Sequence, residues 1–344
     1  RACATSFQSA ANAVDAILLG QAEVIIAGGV DSTSSVQVPL SRKLSSTLRD
    51  ASFAKSLGDR VKILSRLRPA DLIPEAPAIT EYSTGMLMGE SAEQMAKSWN
   101  VSREEQDDIA HASHSNAAKA WEEGYWEDFV MTAFIPDSKG QVNPLREDNL
   151  VRKNSERAGY NKLKPVFDKK LGTVTAANSS PLTDGAAAMV LMSEEKAKAM
   201  GYEPLGYIRG YAFSAKSPEE DLLMGPVLAA PVALERAGAT LADMDLVDMH
   251  EAFAVQIACN VRGLASKEYI KKWTGRDKAV GEVDPTKLNV NGGSIAYGHP
   301  FGATGARVIG QTAFELKRRG GGMALTTACA AGGIGAAMVI ESGS

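Results

Sequence analysis

Asp184-Gly-Ala-Ala-Ala-Met-Val-Leu-Met192 has a partial copy near the end of the chain, Gly333-Ile-Gly-Ala-Ala-Met-Val-Ile-Glu341. The two segments share Ala-Ala-Met-Val, and each closes a region with a helix pattern and a strand pattern, 7–27 in one case and 303–327 in the other. Short apolar runs of this kind predict buried strands, and a helix beside a buried strand is typical of layered α/β folds. The copy therefore favours two similar α/β halves, although a chance match of four residues is the alternative at this point.

Residues 35–165 differ in composition from the rest of the chain. Charged residues are frequent there, and Pro69 and Pro74 interrupt the pattern. The segment Ser102-Arg-Glu-Glu105 has the spacing of a capping box, which predicts an amphipathic helix that runs to Gly124. We therefore predict an inserted loop domain at 35–165, a first α/β half made of 1–34 and 166–200, and a second half at 201–344.

Composition and charge exclude several classes of protein. The 344 residues include 37 Lys plus Arg and 41 Asp plus Glu, and the net charge of −4 argues against nucleic-acid binding through bulk charge. No apolar run reaches the roughly 20 residues of a spanning helix. The three cysteines are too few for a disulfide framework and fit a reducing compartment. Dinucleotide, Walker A, His-Glu-x-x-His and Cys-x-x-Cys motifs are absent from the sequence, so we expect no metal.

Cys3 and His299 are candidates for nucleophilic catalysis. Cys3 stands just before a predicted helix over 7–19, where the helix dipole should lower the pKa of its thiol below about 8.5. His299 lies in a glycine-rich loop, and a neutral imidazole there could deprotonate a thiol. The alternatives are a half-buried cysteine without a role and a loop histidine near the start of a helix.

Two more candidates follow predicted strands. Cys329 is surrounded by small residues that leave room for a substrate, and His250 ends a strand, where ligands bind in α/β sheets. The alternatives are that Cys329 is an inert buried cysteine and that His250 is a core histidine whose hydrogen bonds are made within the fold. Cys259 is predicted to be a packing residue within a helix. His111 and His114, in a charged helix, are predicted to be solvated.

Six segments together resemble the thiolase family, and they cover nearly the whole chain. They are Arg1-Ala-Cys-Ala-Thr-Ser-Phe-Gln8, Met88-Gly-Glu-Ser-Ala-Glu93, Asn178-Ser-Ser-Pro-Leu-Thr-Asp-Gly185, His250-Glu-Ala-Phe253, Asn291-Gly-Gly-Ser-Ile-Ala-Tyr-Gly-His-Pro300 and Cys329-Ala-Ala-Gly-Gly333. His250 stands where most thiolases carry Asn. Together with Ser-Arg-Leu-Arg at 65–68 and Glu-Tyr-Ser-Thr-Gly at 81–85, this resembles the trifunctional branch of the family, the β subunits of fatty acid oxidation complexes.

The resemblance implies a fold and a reaction. The fold is a five-layered αβαβα arrangement of two similar halves, with a loop domain inserted in the first half. The reaction is cleavage of a 3-ketoacyl-CoA by CoA into acetyl-CoA and a shortened acyl-CoA, the last step of fatty acid β-oxidation, through an acyl group carried on Cys3. His299 would activate Cys3. Cys329 would protonate the acetyl-CoA enolate. His299 and His250 would hold the enolate oxygen, His250 either directly or through a water. The backbone N–H groups of Cys3 and Ala331 would hold the tetrahedral oxyanion.

The resemblance also implies residues and partners around the substrate. Met88 and Ser180 would lie along the pantetheine of CoA, and Arg152 near its nucleotide. CoA is a substrate, so no cofactor is implied. The expected protein partners are a second copy of the chain and an α subunit with hydratase and 3-hydroxyacyl-CoA dehydrogenase activities. Loop-domain residues of some relatives approach a membrane, but the sequence shows no clear amphipathic anchor.

Two alternative functions stay open, a biosynthetic acetoacetyl-CoA thiolase of the same fold and a non-enzymatic scaffold that docks the α subunit. The four intact candidates, Cys3, His299, Cys329 and His250, argue against the scaffold. Family members carry roughly ninety residues ahead of the nucleophile, and without those strands sheet edges would be unpaired, so we expect a fragment with little activity alone. A cytoplasmic location is expected, with a mitochondrial one as the alternative, because the sequence lacks the diagnostic N-terminus.

Overall fold

A computed structural model describes residues 1–35, 39–74 and 80–343. Its α-helices are α1 Thr5–Leu18, α2 Arg42–Phe53, α3 Leu57–Leu64, α4 Met88–Ser98, α5 Arg103–Glu122, α6 Arg157–Tyr160, α7 Glu194–Met200, α8 Gly225–Ala237, α9 Ala254–Ala265, α10 Lys267–Thr274, α11 Ser294–Tyr297 and α12 Thr304–Arg318. Its strands are β1 Val24–Asp31, β2 Ala133–Pro136, β3 Val142–Leu145, β4 Gly185–Met192, β5 Tyr207–Ala215, β6 Leu246–Met249, β7 Gly322–Ala330 and β8 Ile334–Ser342.

The strands form two main sheets and a small β2–β3 hairpin. β1 pairs with β4 in antiparallel register. The second sheet has the order β5-β8-β7-β6, in which only β6 and β7 are parallel. The two copies of Ala-Ala-Met-Val lie in β4 and β8, each antiparallel to the strand that follows a long helix. The order α1-β1-β4 is therefore repeated as α12-β7-β8, as expected for two similar halves.

Helices α1 and α12 lie between the two sheets. Phe7 of α1 and Val308 of α12 belong to one buried cluster with Met338 of the four-stranded sheet, and Met189 of β4 packs against that cluster. The two helices approach closely at Gly305, where a Cβ atom would lie 2.7 Å from the Phe7 side chain. Helices α8 and α9 cover the opposite face of the four-stranded sheet. The described residues thus form successive layers: the β1–β4 sheet, the helix pair α1 and α12, the four-stranded sheet, and the helices α8 and α9.

The outer face of the β1–β4 sheet is apolar and uncovered among the described residues. Ile26 of β1 pairs with Val190 of β4, and their side chains are 75% and 58% exposed. Val30, on the same face, is also exposed. Strand β1 continues through Gly28 and Gly29, because the absence of side chains there lets β4 and the Gly302 loop approach the backbone closely.

The region predicted as an inserted domain contains helices α2 to α6 and the β2–β3 hairpin. Ser102 caps α5 as predicted, since its Oγ accepts the Glu105 N–H at 3.1 Å. The Glu105 carboxylate does not close the capping box, because it binds Arg262 of α9 at 2.7 Å instead. The boundaries at 35 and 165 stay a prediction, and parts of this region, 36–38 and 75–79, lie outside the described residues.

Helices α2 and α3 pack on each other at the surface. Phe53, Leu57 and Val61 are largely exposed there, although the sequence had shown no clear amphipathic anchor. Among the described residues, no helix combines the length and the apolar character that a membrane crossing requires.

Candidate active site

The four candidate side chains come from distant parts of the chain. Cys3 lies in a short turn immediately before α1, and His299 lies in the loop between α11 and α12. His250 follows β6, and Cys329 is near the end of β7. Because β6 and β7 are parallel, their carboxyl ends lie at the same edge of the sheet. There the backbone N–H of His250 donates to the Thr327 carbonyl at 2.8 Å. This edge faces the N-terminal ends of α1 and α12.

Cys3 and His299 are in direct contact. The Cys3 Sγ atom lies 3.0 Å from His299 Nε2, and His299 Nδ1 lies 2.7 Å from the Thr304 Oγ1 atom. His299 is 3% exposed and Cys3 is half-buried. A neutral imidazole carries one N–H, so Nε2 can accept the thiol proton only when Nδ1 donates to Thr304. The arrangement suits removal of a proton from Cys3.

The prediction that the Cys3 pKa falls below 8.5 is wrong. Burial raises the pKa of this thiol to about 11, and this outweighs the backbone N–H groups of Ala331 and Cys3, which lower it. Burial, followed by the charge of Arg307, lowers the pKa of His299 to about 3. Both groups are therefore neutral near pH 7. The resting pair is a thiol and an imidazole, not an ion pair.

The pH dependence of the rate at which Cys3 is alkylated should show whether Cys3 and His299 are both neutral. We expect the iodoacetamide rate at Cys3 to rise about tenfold per pH unit from pH 7 to pH 10, because the thiolate fraction does so below a pKa near 11. Cys259 should react more slowly, since it is a buried packing residue of α9 with a pKa that burial raises further. Peptide mass spectrometry would resolve the two rates. A Cys3 rate that levels off below pH 8 would contradict the neutral pair.

Cys329 and His250 lie beside this pair. Cys329 is 1% exposed, and burial together with the neighbouring Cys3 raises the pKa of its thiol well above the usual value. The His250 and His299 rings stack at 4.2 Å, and burial, His299 and Arg307 hold the pKa of His250 well below its usual value. Cys329 is therefore a neutral proton donor, and His250 is a neutral imidazole.

Donor atoms of Cys3, His250 and His299 lie within 4.8 Å of one another, so these are the residues that could hold a metal ion. The hydrogen bond between Cys3 and His299 already uses two of those atoms. The absence of a resident metal stays a prediction.

Sequence reasoning missed Glu81, which supports the turn between β7 and β8. Its buried carboxylate accepts the Gly332 N–H at 2.8 Å, and Gly332 and Gly333 have φ values of 80° and 67°, a region that favours glycine. The preceding residue, Ala331, directs its N–H at Cys3. The loop that carries Glu81 thus positions a backbone donor of the site. Its only sequence signal was the segment 81–85.

Glu251, next to His250, is a second missed support. Its buried carboxylate accepts from Ser113 Oγ at 2.6 Å and from the Ile295 N–H at 3.1 Å. It also accepts from the Asn289 side chain at 2.7 Å. Burial raises the pKa of this carboxyl. Glu251 therefore ties the end of β6 to the glycine-rich loop that leads to His299.

Of the three residues predicted to contact CoA, Ser180 lies beside the site, because the carbonyl of the next residue, Pro181, accepts the His299 backbone N–H at 2.9 Å. Met88 begins α4 and packs against the main core, and Ser180 Oγ donates to the Ala252 carbonyl at 3.1 Å. The Arg152 side chain is exposed, and its backbone N–H donates to His114 Nδ1. The prediction that His114 is solvated is wrong, because it is buried on the inner face of α5 and burial lowers its pKa to about 4. Contact with CoA stays a prediction for all three.

Comparison with known proteins identifies the family. Residues 1–195 match the thiolase N-terminal domain, and residues 202–342 match the thiolase C-terminal domain. This chain belongs to the thiolase family. The resemblance stated from its motifs is therefore confirmed over nearly the whole chain.

Named thiolases are similar in sequence and in structure. The chain is 59% identical to the 3-ketoacyl-CoA thiolase of Pseudoalteromonas translucida and 57% identical to that of Klebsiella pneumoniae, over 99% of the chain and 78% of each relative. Human mitochondrial 3-ketoacyl-CoA thiolase superposes with a TM-score of 0.80 at 33% identity, over 100% of this chain and 77% of that one. Bacillus anthracis acetyl-CoA acetyltransferase superposes with a TM-score of 0.80 at 32% identity, over 99% of this chain and 77% of that one. The expected thiolase fold is confirmed.

Proposed function

We propose that this thiolase cleaves a 3-ketoacyl-CoA with CoA, giving acetyl-CoA and a shortened acyl-CoA, as the last step of fatty acid β-oxidation. The observation that carries the proposal is the 3.0 Å contact between Cys3 Sγ and His299 Nε2, with a second buried thiol, Cys329, beside it. The names of the relatives described above support the same substrate class.

In the first half-reaction, His299 accepts the Cys3 proton while the sulfur attacks the C3 carbonyl carbon. The N–H groups of Ala331 and Cys3, which already face this sulfur, stabilise the oxyanion that forms. The C2–C3 bond then breaks. Its electrons form the enolate of acetyl-CoA, and the acyl group stays on Cys3 as a thioester.

Cys329 loses its thiol proton at the end of the first half-reaction and regains a proton in the second. It donates its thiol proton to C2 of the enolate, so that acetyl-CoA leaves. The thiol of incoming CoA then attacks the acyl group on Cys3, and its proton restores Cys329. Cys3 departs as a thiolate and recovers its proton from His299, so protons and charges balance over the cycle.

Protein partners are part of the proposal. We propose that the chain forms a homodimer and binds an α subunit that carries hydratase and 3-hydroxyacyl-CoA dehydrogenase activities. The apolar outer face of β1–β4, with Ile26, Val30 and Val190 exposed, supports a covered surface in an assembly.

The proposal is tested by CoA-dependent release of acetyl-CoA from 3-ketohexadecanoyl-CoA and from acetoacetyl-CoA, measured for this chain and for the intact gene product. We expect the intact gene product to cleave the long-chain substrate. Cleavage of acetoacetyl-CoA alone would favour the biosynthetic alternative. If neither protein cleaves either substrate with the α subunit added, the proposal fails and the scaffold function is favoured.

A further inference from the structure

His250 lies between a hydroxyl group and the reacting groups. Its Nδ1 atom is 2.7 Å from Ser294 Oγ. Its Nε2 atom is buried and has no hydrogen-bond partner among the described residues. The ring stacks on His299, and both histidines lie close to Cys3. A ring nitrogen of His250 lies within 4.8 Å of Cys3 Sγ, and Nε2 is the nitrogen that the Ser294 contact leaves free. The role of Nε2 depends on whether it carries the proton.

Ser294 has a second neighbour that restricts its hydrogen bonding. Arg307 Nη2 donates to Ser294 Oγ at 2.8 Å. A guanidinium has donors only, so this contact uses a lone pair of the serine oxygen. Ser294 is fully buried, and within the described residues His250 and Arg307 are the two partners of its hydroxyl. The hydroxyl proton thus has one acceptor within reach, Nδ1 of His250.

The two tautomers of His250 differ in how well they fit these contacts. With the proton on Nδ1, the Ser294 oxygen would accept from two donors, one of them cationic, and its own buried proton would have no acceptor. With the proton on Nε2, Arg307 Nη2 donates to Ser294 and Ser294 donates to Nδ1, so each of these two contacts joins one donor to one acceptor, and the Nε2–H is left for a substrate atom. The guanidinium charge also polarises the hydroxyl and makes it a better donor.

We propose that Arg307 and Ser294 are positioning residues that hold His250 in its Nε2–H tautomer, so that it donates a hydrogen bond to the enolate oxygen formed in the thiolase reaction. The inference deepens the proposed function and rests on it for the identity of the acceptor oxygen. It explains why a buried imidazole nitrogen is left without a partner: the partner is a substrate atom that carries negative charge only during the reaction.

The neighbouring His299 shows the contrast. Its Nδ1 atom also contacts a hydroxyl, Thr304 Oγ1, at 2.7 Å, but no cation binds that oxygen among the described residues. The direction of this hydrogen bond is therefore not fixed by a charge. Thr304 can accept an Nδ1 proton, and the Cys3 thiol favours that tautomer because Nε2 is the acceptor that lies beside it. Two stacked imidazoles then perform opposite tasks, His299 as a base and His250 as a donor, and Arg307 is the group that makes them different.

A double-mutant cycle tests the role of Ser294. Because loss of a whole oxyanion donor costs about 10²–10³ in kcat, we expect Ser294→Ala to lower kcat roughly 10-fold to 100-fold, with KM changed less than about threefold. In a His250→Asn background the amide supplies its own N–H, so Ser294→Ala should change kcat less than about threefold. An equal loss in both backgrounds would show that Ser294 only supports the loop, and would overturn the proposal.

A spectroscopic readout is independent of turnover. The chain has four histidines, so ¹⁵N-histidine spectra are simple, and His250→Asn assigns the signal of His250. We expect the Nε2–H tautomer in the wild-type chain and a shift toward Nδ1–H in Arg307→Met, which keeps Ser294 in place. An Nδ1–H tautomer in the wild-type chain would overturn the proposal. Absence of thiolysis by the wild-type protein would instead contradict the proposed function, while the spectra still decide the tautomer.

Discussion

Replacement of Cys3 by Ser is expected to lower kcat for thiolysis by roughly 10⁴-fold or more, the scale seen when a covalent nucleophile is removed. The reason is the weakness of the base. His299 has a pKa lowered to about 3, and it shares the proton of a thiol with a pKa of about 11. A serine hydroxyl is a far weaker acid than this thiol, so His299 cannot generate an alkoxide at a useful rate. The measurement is acetyl-CoA release together with intact mass, which should show an acyl adduct in the wild-type chain and none in Cys3→Ser.

Cys259→Ala is the matched control for this change. Cys259 is buried in α9, where it packs in the main core away from the contacts of Cys3. Its loss should leave kcat within about twofold, although removal of buried atoms will lower the free energy of unfolding. An acyl adduct that persists in Cys3→Ser, or that disappears in Cys259→Ala, would contradict the assignment of Cys3 as the nucleophile.

The candidate residues could be predicted from sequence because each stands in a local pattern with a chemical meaning. His299 lies among glycines before a proline, Cys329 follows an apolar strand, and His250 ends one. The two similar halves could be predicted from the repeated segment in the same way, because both copies of Ala-Ala-Met-Val lie in strands, β4 and β8, that pair antiparallel with the strand after a long helix. Each of these patterns involves residues that are close together in the chain, so a single sequence is enough to recognise it.

The electrostatics of the site could not be predicted in this way. The helix dipole at Cys3 is a local effect, and on its own it lowers the pKa of the thiol. The opposing effect comes from burial by the strands and by α12, which are distant in sequence, and it is the larger of the two. His114 shows the same limitation, because its helix pattern is polar but its ring is buried by packing.

The residues that support the active site could not be predicted from local sequence patterns either. Glu81 and Gly332 are 251 positions apart, and His250 and Ser294 are 44 apart. A glutamate in a polar segment or a serine in a glycine-rich loop has many ordinary roles, and only the fold shows which N–H or imidazole it reaches. The sequence therefore indicates the groups that react, while the structure is needed to find the groups that hold their protons in place.

Replacement of Cys329 by Ala should separate the two halves of the reaction. We expect kcat for thiolysis to fall about 10²–10⁴-fold, the usual contribution of a positioned acid or base, because the enolate then has no proton donor at C2. Transfer of an acyl group between labelled CoA and acyl-CoA forms no enolate, so Cys329 keeps its proton and His299 can carry the thiol proton between Cys3 and CoA. Its rate should therefore stay within a few-fold of the wild-type rate. Exchange of the C2 protons of acetyl-CoA with deuterium in D₂O should be lost. If both exchange reactions fall together, Cys329 supports the position of Cys3, which it adjoins, and does not carry the proton.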